Sequence, residues 1–165
     1  MVEQVNNDYQ HSSGPVFTIA VPYARLEDTT PTPSNPAKIT SRVVGSELCG
    51  TILSISADSI AIVNVAPGFI GNWEVRNVLT YVGGPAEATW GVINYGDTIY
   101  YDGSATMPAG VYLSTSPLDA TGAANPVFGW VATITSEAAA LYPLGANGVA
   151  STQDCQVLQR GAGCA

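Results

Sequence analysis

The sequence predicts an all-β fold: a small sandwich or barrel-like domain of about eight to ten short strands, preceded by an N-terminal arm. Three observations carry that expectation. Val, Ile and Thr supply 17, 10 and 15 of the 165 residues, whereas the strong helix formers Lys, Gln and Glu are scarce. The apolar residues come in short runs, several alternating with a period of two. Between the runs stand most of the 17 Gly and 11 Pro residues, the punctuation of tight turns. A hydrophobic share of 46% is enough for one core in a chain of this length.

Residues 1–15 are polar, with the first basic side chain only at Arg25, and read as a flexible arm without the basic start and apolar centre of a secretory signal. Residues 16–161 read as the domain and 162–165 as a tail. Within residues 16–23, Phe17, Ile19, Val21 and Tyr23 alternate with Val16, Thr18, Ala20 and Pro22. Pro22 has no amide to donate, so this strand lies at a sheet edge or its end is irregular. Pro31, Pro33 and Pro36 make residues 27–37 a long exposed loop. Short strands follow at 39–44, 48–55 and 59–65, broken at Gly45-Ser46 and Ala57-Asp58. Residues 71–82 give the clearest alternation, with Trp73, Val75, Leu79 and Tyr81 on one face and Glu74, Arg76 and Thr80 on the other. Further strands are expected at 98–101, 111–115 and 127–134, with a polar turn region at 117–125. Residues 136–141 allow one helical turn before Pro143. Residues 151–160 admit either a capped helix or a last strand, and the strand is preferred because Cys155, Val157 and Gln159 alternate with Gln156, Leu158 and Arg160.

Charge narrows the function. Five basic residues against thirteen acidic ones leave a net charge of −8, which argues against binding nucleic acid or an anionic membrane surface. No apolar stretch approaches the ~20 residues that cross a bilayer. The single histidine, His11, lies in the arm, where a general base has no fixed geometry. No phosphate-cradling loop, nucleophile elbow or dinucleotide fingerprint is present. Asp97 and Asp102 flank one short strand beside Gly96 and Gly103, and turn formation accounts for all four: glycine frees the backbone and the Asp side chain accepts from turn amides. Cys49 reads as a buried apolar residue. Cys155 and Cys164 are close enough in sequence for a disulfide, which spacing alone does not establish. Zinc is rejected for want of ligands. No catalytic residue, cofactor or metal site is expected.

The run Ile93-Asn94-Tyr95-Gly96-Asp97-Thr98-Ile99-Tyr100-Tyr101-Asp102 resembles the "I.GD.VY.D" segment of a family of tailed-phage capsid decoration proteins, also called head cement proteins. Residues 111–115 and 125–132 are similar to its following "..L......N..iG.A" stretch, and residues 43–50 to the segment before its first central hairpin. The likeness extends over residues 16–160, with the Gly-Asp-x-x-Tyr stretch its distinctive part. The proline-rich residues 30–37 and the cysteine-containing end depart from the pattern. The resemblance implies a non-enzymatic virion protein, a homotrimer on the outer surface of the capsid, bridging subunits of the major capsid protein. It also makes Tyr9, His11, Phe17, Ile19, Val21 and Tyr23 candidate capsid contacts, through an arm that orders on docking.

Two other readings remain. Tyr95, Tyr100, Tyr101, Tyr112 and Trp130 suggest a carbohydrate-binding β module, although Tyr100 and Tyr101 must face opposite sides of one strand. A hydrolase using Asp97 or Glu87 is the weakest, since the two aspartates stand at opposite ends of an extended segment.

Overall fold

The computed structural model describes residues 12–28, 30–40, 47–80, 93–103, 111–119, 121–134, 142–143 and 149–161. These form eleven strands and a single 3-10 turn: β1 (Ser12–Ser13), β2 (Thr18–Pro22), the turn Tyr23–Arg25, β3 (Pro36–Ile39), β4 (Leu48–Ile55), β5 (Ile60–Asn64), β6 (Ile70–Thr80), β7 (Thr98–Tyr101), β8 (Leu113–Ser114), β9 (Val127–Ile134), β10 (Tyr142–Pro143) and β11 (Val149–Gln159). The fold is all-β, and eight of the strands have four residues or more.

Five strands close into a small barrel. β6 pairs with β8 in parallel, β8 with β7, β7 with β9, β9 with β11, and β11 returns antiparallel to β6. Closure requires sharp local bending, and β9 supplies it twice. Its pairing with β7 jumps from Gly129 to Val127, and its pairing with β11 jumps from Thr133 to Val131. Each jump leaves one extra residue, a β-bulge that bends and twists the strand. Phe128, the first of these, turns into the core. The barrel interior holds Val75, Ile99, Tyr101, Leu113, Phe128, Val131, Cys155 and Val157.

The other sheet is antiparallel, in the order β2-β5-β4-β3. Val21, Ile52, Ala61 and Val63 make its core, with Leu26 and Ala37. β2 is an edge strand, one of the two outcomes Pro22 allows. The expected loop over 27–37 is shorter than its prolines suggest, because Pro36 opens β3 opposite Thr51. A proline fits there, since the first residue of a strand need not donate to the ladder. The stretch expected as a strand at 39–44 contributes only Ile39 to β3; residues 41–46 lie outside the described residues, as does the helical turn expected at 136–141. Residues 149–159 form a strand rather than a helix, because both sides of this segment pair, with β6 and with β9.

A buried polar junction joins sheet to barrel. The Thr51 hydroxyl donates to Gln159 Oε1 at 2.7 Å, and Gln159 Nε2 donates to the carbonyls of Asn64 (3.1 Å) and Ala66 (2.8 Å). Asn64 Oδ1 accepts the amides of Phe17 and Ala66, while its Nδ2 donates to the Pro15 carbonyl. Cys49 of β4 reaches into the barrel core from the same side.

Candidate functional site

The Gly-Asp-x-x-Tyr stretch forms the entry to β7. Gly96 has φ +82°, a left-handed conformation that L side chains adopt at a cost. The Asp97 carboxylate accepts the Asn94 amide at 2.7 Å, and the Asp97 amide donates to the Asn94 carbonyl. These contacts shape a turn, and Val131 donates to the Asp97 carbonyl to hold it against β9.

At the other end of β7, Asp102 does more than terminate the strand. It is fully buried, and its carboxylate lies 3.1 Å from Arg76 Nη2, whose side chain is only 1% exposed. Arg76 does alternate with Val75 as the sequence suggests, yet the face it occupies is buried among Ser114 and Thr152, its ladder partners on β8 and β11. Gly103 leaves room for Glu27, whose carboxylate crowds the space a β-carbon would fill and bonds Lys38 at 2.8 Å. Glu87, the other carboxylate considered with Asp97, lies outside the described residues.

The candidate capsid contacts divide. Tyr9 and His11 lie outside the described residues. Val21 is buried in the core of its own sheet, with Ile19 and Tyr23 half-buried against it, so these three serve the fold. Phe17 is 64% exposed and the neighbouring Val16 61%. Phe17 and Tyr23 both hydrogen-bond towards β5, so the odd residues face that strand. The alternation of an antiparallel ladder then turns the backbone amides of Thr18 and Ala20 outward. No described strand pairs with that side. The result is a short open edge, limited at one end by Pro22 and flanked by two exposed apolar side chains. Residues 12–15 are part of the fold: Ser12 and Ser13 pair with Gly71 and Ile70, and Pro15 accepts from Asn64.

The aromatic set anticipated as a platform divides by burial, with Tyr100 half-buried on β7. Tyr101 is buried in the barrel, with Tyr112 stacked on it at 5.9 Å and 4° between the ring planes. Tyr95 and Trp130 are exposed, on the turn before β7 and on β9. The ring that joins Tyr112 at the surface is Trp73. A groove of about 430 Å³ runs between residues 34–36 and β6, lined by Ser34, Asn35, Asn72, Trp73, Glu74 and Tyr112. The Trp73 indole nitrogen donates to the Ser34 carbonyl at 2.8 Å, and its ring meets Phe128 edge-on at 5.2 Å and 89°. It also lies over Gly71, where any β-carbon would collide with the indole. Burial, and then a hydrogen bond with the Asp28 carboxylate, push the Tyr112 phenol up to about 12, so the ring stays neutral. Trp73 reads in sequence as one more inward residue of an alternating strand. Only Gly71 two positions earlier hints that its indole needs room.

Cys49 and Cys155 are free, buried thiols, and Cys164 lies outside the described residues. Burial pushes Cys49 up to about 12 and Cys155 up to about 11, which keeps both protonated and unreactive at neutral pH. Among the described residues, no group of three or more His, Cys, Asp or Glu side chains is arranged to hold a metal ion. Comparison with protein-family models, with curated proteins and with solved structures finds no match to this chain.

Proposed function

We propose that this chain is a structural virion protein that binds the outer surface of a phage capsid as a homotrimer and stabilises the shell by bridging subunits of the major capsid protein. The open edge of β2, with Val16 and Phe17 exposed beside it, carries the reading. An edge strand offers free amides and carbonyls to an extended segment of another chain, and adjacent apolar side chains add the area that makes such pairing specific. The resemblance of residues 93–102 to the decoration-protein segment supports it, and the role demands binding without chemistry. Three copies of one modest patch give strong attachment, because each contact after the first is effectively intramolecular. A net charge of −8 suits a surface turned to solvent rather than to packaged DNA.

Incubation of the full chain with emptied, expanded heads of a tailed phage tests this. The expected result is saturable co-sedimentation at a fixed ratio to the major capsid protein, with the heads resisting heat or chelation better than undecorated ones. Phe17→Asp should weaken binding by at least about tenfold, roughly 1.4 kcal/mol, while leaving Tm unchanged. Absence of binding to heads, with a monomer in solution, overturns the proposal.

A further inference from the structure

We propose that the groove between residues 34–36 and β6 is a binding subsite for a neutral, hydroxyl-rich ring, a pyranose sugar. This goes beyond the shell-binding reading, since none of the lining residues belongs to the exposed edge formed by residues 16–22. The volume of about 430 Å³ lies within the range of small-molecule sites and is sufficient for one or two sugar rings. Its lining combines two half-buried aromatic residues, Trp73 and Tyr112, with Ser34, Asn35, Pro36, Asn72 and the exposed Glu74; the Asn35 side-chain amide already donates to the Thr32 hydroxyl. A pyranose has the matching duality: a C–H face that packs on an aromatic ring, and an equatorial belt of hydroxyls that both donate and accept. Glu74 accepts from a pair of neighbouring hydroxyls, and such charge-assisted bonds are the strong ones.

The lining excludes other chemistries. Among the described residues no Lys or Arg lines the groove, and Glu74 repels phosphates and carboxylates. An ammonium ligand wants a cage of aromatic faces, whereas only two of the seven lining residues are aromatic.

The walls are also held in place before any ligand arrives. Trp73 is pinned by its bond to the Ser34 carbonyl and by its edge-on contact with Phe128. Tyr112 is pinned by its stack on the buried Tyr101. Ser34 has φ +71°, a strained conformation for a residue with a β-carbon, and holds it through its amide bond to the Ile52 carbonyl at 2.7 Å. Strain of this kind persists where the surroundings over-determine it and is concentrated at binding sites. Fixed rings lose little freedom on binding, so even a small contact area retains its affinity.

The test is saturation-transfer NMR and tryptophan fluorescence on the full chain, with the methyl glycosides of glucose, galactose, mannose and N-acetylglucosamine, and with choline and inorganic phosphate as contrasting probes. The expected result is saturation transfer to the ring protons of at least one glycoside, with Kd in the region of about 1 mM. Glu74→Ala, at an exposed position, should weaken it by about tenfold without lowering Tm. Tyr112→Leu should weaken it likewise through loss of the ring, with some loss of Tm because the stack on Tyr101 goes too, while Trp73→Phe keeps the packing on Phe128 and shifts the preference among glycosides. Lack of transfer to any of the four glycosides overturns the proposal. So does binding that survives both Glu74→Ala and Tyr112→Leu, or a groove that takes choline or phosphate instead. Head binding by Glu74→Ala is measured in parallel: its retention keeps failure of the sugar site distinct from failure of shell attachment.

Discussion

Gln159 shows how much one side chain contributes when it spans two sheets. Its amide satisfies the Thr51 hydroxyl and two backbone carbonyls in a region without solvent. Gln159→Leu keeps the volume but leaves those groups unpaired, and should cost about 2–4 kcal/mol in urea unfolding. The alternation of Cys155, Val157 and Gln159 places Gln159 on the inner face, but its partners are remote, Thr51 lying 108 positions away. Asp102 teaches the same lesson. Beside Gly103 it reads as a turn former, yet it is the buried partner of Arg76. Asp102→Asn should therefore destabilise by about 3–5 kcal/mol, the scale for breaking a buried pair. Asp97→Asn, at a turn that is not fully buried, should lose only about 1 kcal/mol. Side-by-side denaturation of the two variants separates an ion pair from a turn. Ser59 works in the opposite direction: with φ +59° in the turn between β4 and β5 it occupies a glycine conformation. Ser59→Gly should raise Tm by about 2–3 °C, a gain of up to about 1 kcal/mol.

Among the elements, the strands with strong alternation or turn boundaries were legible, and β4, β7 and β9 fall on the expected residues. The arm was less so. Its polar composition suggests an end at residue 15, whereas β1 and the Pro15–Asn64 bond bring residues 12–15 into the fold. A two-residue ladder has no pattern to read. The difference matters for experiment: the Tm of a chain lacking residues 1–11 is the reference. Deletion of 1–15 should lower it measurably, by removing β1 and the Asn64 contact, and thermal unfolding of the two truncations decides. β2 combines both cases. Its edge position is one of two outcomes Pro22 allows, and which of its side chains remain free follows from packing, which commits Val21 and leaves Phe17 outside.

For the whole molecule, closure of the barrel sets the environment of both described thiols. Burial raises Cys49 and Cys155 from an ordinary value near 9 to about 12 and about 11, so the folded protein retains protons that the unfolded chain releases. The fold is therefore fully supported below pH ~9 and loses stability as pH climbs from there through 11 to 12. Alkaline unfolding curves should show that decline. A thiol reagent at pH 8 should find neither Cys49 nor Cys155 until denaturant is added.

Fold class and turn chemistry were both present in the residues, because alternation, β-branching and the special backbones of Gly and Pro act over a few positions. Whether the sheet would be a sandwich or a barrel was not, since closure depends on β11 reaching both β9 and β6 and on two bulges in β9 that shift the register by one residue each. The groove belongs to the same class. Trp73, Tyr112 and residues 34–36 are neighbours only because the parallel β6–β8 pair sets Tyr112 beside Glu74 and the segment before β3 crosses them. Contacts between segments far apart in the chain leave no local trace, and both candidate surfaces of this protein, the β2 edge and the aromatic groove, are bounded by such contacts.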